Sequence, residues 1–278
     1  MKSTSKIIIA FVACIILLAI LSPFIFFTTD KSITYYENPT LLTGKMKTIN
    51  TDKFRNLILS GSYRFNIVED STIAKPKITV DSGLNEYVKL LNDSIGNLYL
   101  TYFVPESRFD GETASMDEIY DNGASDLTIF VPSGMLHAVE VSDYGIVVNI
   151  KNFTRSLVMK SASNQAYVNF RNCNMDFMSF SFSIYELCYL DLSLYESHVD
   201  TIEFGRNKYY STIEGRISLN RTINSSIGNI KLNNNMQTLS VEPDVTLETL
   251  TLTVDSISTP LKKYDISIPA STQILSTP

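Results

Sequence analysis

Two hydrophobic textures divide this chain. Residues 7–27 form one unbroken apolar run, and beyond it apolar and polar positions alternate in short stretches toward the C-terminus. As a helix at about 1.5 Å per residue the run rises roughly 31 Å, enough for a hydrocarbon core of about 30 Å. The remainder reads as strands. Leu57 to Ser60, Tyr63 to Val68, Lys77 to Val80, Leu98 to Phe103 and Leu127 to Val131 are clusters of β-formers closed by turn signals such as Ser60-Gly61-Ser62, Glu69-Asp70-Ser71 and Pro132. Ile67, Ile78 and Val80 take inward positions, while Glu86 to Leu91 fits either a strand or a helical turn. This opening block predicts a small set of antiparallel strands.

From about residue 135 the stretches become shorter and end in Asn, Ser, Gly or Asp. They are Val139 to Ser142, Leu157 to Ser161, Tyr167 to Phe170, Met178 to Phe182, Tyr189 to Leu194, Thr201 to Phe204, Arg216 to Leu219, Asn229 to Leu232, Thr238 to Val241 and Thr249 to Val254. Their centres recur about every 9 to 15 residues, two per unit of roughly 20 to 25, the range of solenoid coils. A rung of this size cannot bury its apolar face alone, but rungs stacked at about 4.8 Å line their inward residues into one core. Asn172, Asn174, Asn220, Asn224 and Asn233-Asn234-Asn235 suit corners, because asparagine tolerates left-handed backbone. A β-sandwich also carries short strands at 8 to 12 residue spacing, roughly, but the pattern favours the solenoid. Tyr264 to Pro278, with Pro260, Pro269 and Pro278 limiting edge pairing, is the expected end cap.

The apolar run is longer than a removable signal and ends in Pro23-Phe24-Ile25-Phe26-Phe27-Thr28, with no small-residue cleavage site. It is expected to stay as a transmembrane signal anchor. Cys14 could be read as a lipoprotein cysteine, but mostly apolar residues follow it where a polar tether would be needed, so a membrane-buried thiol is favoured. Lys2 and Lys6 precede the run without an acid, whereas Asp30, Lys31 and Glu37 follow it. Flanking cations resist translocation, so the N-terminus is expected in the cytoplasm and the bulk outside, in the periplasm or at the cell surface. The expected organisation is a stub at 1–6, the anchor at 7–27, a tether at 28–52 and an extracytoplasmic all-β solenoid at 53–278.

Phe54 to Asp70, Lys77 to Asp81, Leu98 to Thr101 and Leu127 to Pro132, followed by Leu136 and Val139, resemble the auto-transporter adhesin head GIN domain family of Bacteroidota-type bacteria. The order of features matches from about Phe54 to Val141, and the rung-like tail to about Val254 is in keeping with it. The resemblance implies an exported or membrane-anchored single β-solenoid, and it brings no catalytic residues. The chain departs from the family in lacking repeated Ser-Gly turns after Gly61.

Charge narrows the partners. The chain carries 23 Lys and Arg against 29 Asp and Glu, for a net −6. An acidic domain disfavours nucleic acid and anionic lipid surfaces. Most of the excess lies between Pro105 and Asp126, where seven acids face Arg108 alone; Asp117, Asp121 and Asp126 are the candidate Ca²⁺ ligands, although the stretch lacks the alternating order of a calcium loop and reads first as a solvated one. Asp191, Glu196, His198 and Asp200 are the candidate carboxylate and imidazole groups of a carbohydrate-active β-helix enzyme, which would need two acids about 5 to 9.5 Å apart. The plainer reading puts them on the outward side of strands whose inward side is Leu190, Leu192, Leu194 and Val199. With two histidines, His137 and His198, a histidine-rich metal site is excluded, and neither sits in a nucleophile motif. Cys173 and Cys188 are too close in sequence for one full coil, which favours separate thiols over a disulfide. The 15 Tyr and 15 Phe, without any Trp, suit core packing better than sugar platforms. The expected function is therefore a non-enzymatic scaffold or adhesin-like binding protein for an envelope protein or glycan, with no cofactor; the alternative is the enzyme using Asp191 to Asp200.

Overall fold

The computed structural model describes residues 43–61, 64–103, 127–143, 145–162, 165–182, 188–204, 215–232, 238–241, 245–253 and 265–277. The apolar run 7–27 and the acidic stretch with Asp117, Asp121 and Asp126 lie outside these residues. Among the described residues no helix is long and apolar enough to cross a membrane. Glu86 falls in a 3-10 turn, Asn85–Tyr87, which runs directly into a strand.

The fold is all-β. In chain order the strands are β1 (Met46–Asn50), β2 (Asn56–Ser60), β3 (Arg64–Glu69), β4 (Lys77–Asp81), β5 (Val88–Asn92), β6 (Asn97–Tyr102), β7 (Leu127–Val131), β8 (Ala138–Val141), β9 (Val147–Lys151) and β10 (Leu157–Ser161). They continue as β11 (Gln165–Arg171), β12 (Asn174–Phe182), β13 (Cys188–Tyr195), β14 (His198–Phe204), β15 (Gly215–Ile223), β16 (Ser226–Leu232), β17 (Thr238–Val241), β18 (Thr246–Thr253), β19 (Asp265–Ser267) and β20 (Gln273–Thr277). Two open ten-stranded sheets hold them, the first in the order β1-β4-β7-β3-β9-β11-β13-β15-β17-β19 and the second β20-β18-β16-β14-β12-β10-β8-β2-β6-β5. From β8 onward successive strands alternate between the sheets, and each pairs parallel with the strand one coil away. This is the coil-on-coil stacking read from the short rungs.

Inward positions stack into continuous apolar ladders. In the first sheet Ile49, Ile78, Ile129, Ile67, Ile150, Phe170 and Leu194 follow one another strand by strand. In the second, Leu98, Leu57, Val139, Met159, Phe180, Phe204 and Leu232 do the same, with the Phe180 and Phe204 rings stacked at 5.5 Å. Phe65 of the first sheet meets Tyr102 of the second edge to face at 6.2 Å, so the core lies between the sheets. Each such aliphatic or aromatic side chain removed from water contributes about 1.5–3 kcal/mol.

The opening block differs from the antiparallel set expected of it. Among the described residues only β1 with β4, β4 with β7, and β5 with β6 run antiparallel. β2 and β3 lie parallel inside the stack, each flanked by two later strands: β6 and β8 on β2, β7 and β9 on β3. The coil made by β6 and β7 is therefore laid outside the first one, after which the chain returns to its other side. β1 falls within the stretch read as a tether, and Asp81 fastens it. The carboxylate of Asp81 accepts the amides of Thr43, Gly44 and Gly83 at 2.8–3.0 Å and the Thr43 hydroxyl at 2.9 Å. At the other end β19 and β20 are ordinary parallel rungs rather than a distinct cap, and Ile274 and Leu275 of β20 are exposed.

Left-handed residues turn successive coils at one corner: Asn152, Asn172, Glu196 and Asn224, with φ of 64°, 53°, 48° and 49°. Asn172 donates its side-chain amide to the Asn152 carbonyl oxygen at 2.9 Å. One residue further on, the Cys173 amide donates to Ser197 Oγ at 3.1 Å and the Ser197 amide to Ser225 Oγ at 3.0 Å, so the corner is stitched from coil to coil. Of the corner asparagines read from the sequence, Asn172 and Asn224 take this role, whereas Asn174 and Asn220 lie in strands and 233–235 fall outside the described residues.

Candidate functional site

The outward positions of the sheets decide what the molecule can touch. On the second sheet β2, β6 and β8 stand side by side, which places Tyr99 beside Ile58 and Ile58 beside Glu140, with Lys160 one rung further. These side chains border a shallow groove of about 570 Å³ whose polar groups include Asn56, Asn97 and Thr101. Asn56 donates its side-chain amide to Asn97 Oδ1 at 2.8 Å, and Asn97 donates to Asp93 Oδ2 at 2.7 Å, so the amides are held in fixed orientation. Three donors, from the amides of Ile95 and Asn97 and the side chain of Asn97, together with the more distant Tyr99 hydroxyl, hold the Asp93 carboxyl below the usual carboxylate range. The Tyr99 ring is 38% exposed, and Leu91, its neighbour on β5, is 66% exposed. An exposed ring beside fixed amides, with Glu140 and Lys160 on the neighbouring rungs, can stack on an apolar face while hydrogen bonding the rim of the same ligand. Nothing in the sequence marks this group, because it forms only once β2 is placed between β6 and β8.

The acids and histidine singled out in sequence divide between two sheets. Asp191 is on β13 of the first sheet, between the buried Leu190 and Leu192, and so faces outward there. His198 and Asp200 are on β14 of the second sheet, and exposed Glu196 occupies the corner between them. Only His198 and Asp200 are brought together: His198 Nε2 is 2.6 Å from Asp200 Oδ1, and its Nδ1 is 2.6 Å from Ser226 Oγ on the next coil. This order resembles an acid, base and nucleophile in line, but its surroundings do not suit that chemistry. The two partners are 44% and 59% exposed, and the Ser226 amide, which would have to receive a developing oxyanion, donates instead to the Ser197 carbonyl at 3.1 Å. Paired acids flanking one glycosidic bond are not available from Asp191 and Asp200, because the core separates the faces that carry them.

Among the described residues no three His, Cys, Asp or Glu side chains gather as a metal would need. Cys173 is a free, buried thiol at the coil corner, with Sγ 3.4 Å from the Arg171 carbonyl. Burial pushes the thiol up to about 11 against the opposing hydrogen bonds around it, so it is protonated at neutral pH. Glu69, also buried, accepts the Gly134 amide at 2.7 Å and the Thr154 amide at 2.9 Å, which ties the ends of three coils. Its role is structural.

No family model matches the sequence, and no curated protein matches it. Among solved structures the chain is similar to a candidate adhesin from Parabacteroides distasonis ATCC 8503, at 14% identity and a TM-score of 0.44. It is also similar to a candidate adhesin from Bacteroides fragilis NCTC 9343, at 12% and 0.41, and to a candidate lipid-binding protein from Parabacteroides distasonis ATCC 8503, at 14% and 0.38. Each of the three matches covers 84% of this chain and 96% of the other. The fold itself rests on the strand ladders described above.

Proposed function

We propose that the chain is a non-enzymatic, adhesin-like binding protein, held to a membrane by residues 7–27 with its β-domain outside the cytoplasm, and that it takes an envelope glycan or protein on the outer face of the second sheet. The observation that carries this reading is the groove around Tyr99, an exposed ring set among amides whose orientation is already fixed. Recognition on a flat strand face needs no cleft, and side chains anchored by neighbouring strands lose little freedom on binding. The apolar run and its flanking lysines support the location, and the separation of Asp191 from Asp200 speaks against hydrolysis.

The test is a panel of envelope glycans and proteins offered to the full-length chain in detergent or nanodiscs, as wild type and as Tyr99→Ala. Loss of roughly two- to tenfold in affinity for a ligand of the wild type is the expected result, since stacking on one ring is worth about 0.5–1.5 kcal/mol. Unchanged binding by Tyr99→Ala, with its unfolding temperature preserved, would remove this face from the proposal. Recovery of the chain in the soluble fraction of a cell lysate would remove the anchor.

A further inference from the structure

The outer face of the first sheet carries a different chemistry. Following the strand register, its central outward row reads Thr48, Thr79, Thr128, Asn66, Asn149, Asn169 and Ser193, a polar ladder seven rungs long. Asn149 donates its side-chain amide to Asn66 Oδ1 at 2.8 Å, and Asn169 donates to Asn149 Oδ1 at 2.9 Å. A carboxamide has two N–H groups and a carbonyl with two lone pairs. Asn149 and Asn169 each spend one N–H along the ladder and keep the second.

Cations line both sides of this row. Arg64 stands two residues before Asn66 on β3; Lys151 and Arg171 stand two residues after Asn149 and Asn169 on the neighbouring strands. With about 3.3 Å per residue along a strand and about 4.8 Å between strands, Lys151 and Arg171 are one rung apart and Arg64 lies roughly 13 Å across the row. Together these residues and Tyr195 border a groove of about 400 Å³ with no acid in its lining among the described residues. Arg171 lies over the Tyr195 ring at 5.7 Å, which fixes the plane of the guanidinium and leaves its N–H fork for a ligand. Lys77, seated over Phe130, continues the same margin onto β4. Asp191, an acid on this face, is three rungs from Arg64, beyond Val147 and Tyr167. A basic groove on a chain with net charge −6 is a local choice, not a reflection of composition.

We propose that this groove binds a linear saccharide bearing carboxylates, with Lys151 and Arg171 on one side and Arg64 on the other pairing with the acid groups, and the asparagine ladder meeting the ring hydroxyls. Hydroxyls both donate and accept, as the carboxamides do, and their spacing along an extended polymer suits a ladder of repeated amides. An acidic peptide fits less well, because peptides join a sheet at an unpaired edge, whereas these strands lie inside the sheet with both edges occupied. An anionic membrane fits less well too: of the large exposed apolar side chains among the described residues, Leu91, Ile95, Tyr99, Phe103, Ile274 and Leu275 belong to the other sheet and its loops, and Met46, which is on this sheet, stands on β1, three strands from β3 and its Arg64.

The experiment titrates the full-length chain, in nanodiscs of zwitterionic lipid, with an oligogalacturonate and with its methyl ester, which has the same backbone without charge. Binding of the acid form, weakened roughly tenfold or more in the ester and at about 0.5 M salt, is expected. Lys151→Glu and Arg171→Gln should each lower the affinity roughly tenfold or more without lowering the unfolding temperature, while Lys231→Gln on the opposite sheet leaves it unchanged. If one groove variant fails to fold, the other carries the test. Equal affinity for acid and ester, no binding of either, binding indifferent to both groove variants, or binding of vesicles containing phosphatidylglycerol in place of the saccharide would each overturn the proposal. Loss of the Tyr99 face leaves this test intact, since the two grooves are on opposite sheets.

Discussion

Glu196 holds φ of 48° at a corner where the coils before and after it place asparagine. Left-handed backbone costs an ordinary L-residue roughly 1–2 kcal/mol, and asparagine recovers part of that through its short polar side chain. Glu196→Asn is therefore expected to raise stability by about 0.5–1 kcal/mol, read as a higher midpoint in urea at unchanged slope. Asp81 makes a pH prediction. Burial disfavours its charge, but the amides of Thr43, Gly83 and Gly44 and the Thr43 hydroxyl outweigh that, so its pKa is lowered in the folded chain. Between the folded and unfolded values the unfolded chain binds more protons. The stabilisation is complete above the unfolded value near about 3.9 and is lost as pH falls through the folded one. Wild type should lose more stability than Asp81→Asn between about pH 5 and pH 2, and amide exchange in Met46–Asn50 should accelerate first. An equal loss in both proteins would break the assignment. Cys173 is expected to resist iodoacetamide at pH 8 until the chain is unfolded, because its thiol stays protonated until about 11. These corner and carboxylate roles were only half visible in sequence: Asn172 announces a turn by its type, whereas nothing in Glu69 or Asp81 distinguishes a buried staple from a surface acid.

At the scale of the element, strands were legible where one face is buried and the other is polar. Leu127 to Val131, Leu157 to Ser161 and Thr238 to Val241 have in the fold the bounds that alternation predicts. β9 escapes the same reading because the outward Val147 sits between the inward Ile146 and Val148, so the alternation is masked. β1 escapes because, of its five residues, only Ile49 joins the inward ladder. The Tyr99 groove and the asparagine ladder are products of register, as Asn66 and Asn149 touch only because β3 and β9 are neighbours, and local pattern does not contain register between distant strands. Turns between elements carry their own constraint. Gly61 has φ of 123°, and a Cβ there would stand 1.9 Å from the Tyr102 carbonyl oxygen. Gly61→Ala combines strain with that backbone clash and should cost roughly 2–4 kcal/mol, measured as the shift in unfolding midpoint. A change within about 0.5 kcal/mol would contradict the close approach of β2 and β6 at this turn.

For the whole molecule, a stack of coils has ends that differ. The early end is closed by antiparallel β5 on one sheet and by β4 and β1 on the other, whereas the late end finishes on β19, three residues long, and β20, whose Ile274 and Leu275 are exposed. Hydrogen exchange should therefore be slowest in the central strands β3, β9 and β11 and fastest in β19 and β20, with protection falling toward the late end. Uniform protection along the stack would mean that the coils unfold as a single unit.

The placement of β2 and β3 between strands that come later also governs how the chain can be made. They are among the first of the stack to leave the ribosome or an export channel, yet Asn56 finds its partners only in Asn97 and then Ala138, and Phe65 only in Leu127 and then Val148. Folding cannot advance with synthesis from the first coil onward, because that coil is completed last among its neighbours. Two apolar strands must wait with open edges until Lys151 has emerged. A chain that is stalled or cut before that residue exposes unpaired strand edges rather than a smaller stable version of itself, so any factor that escorts it is needed during emergence and can be dispensed with once β9 is in place.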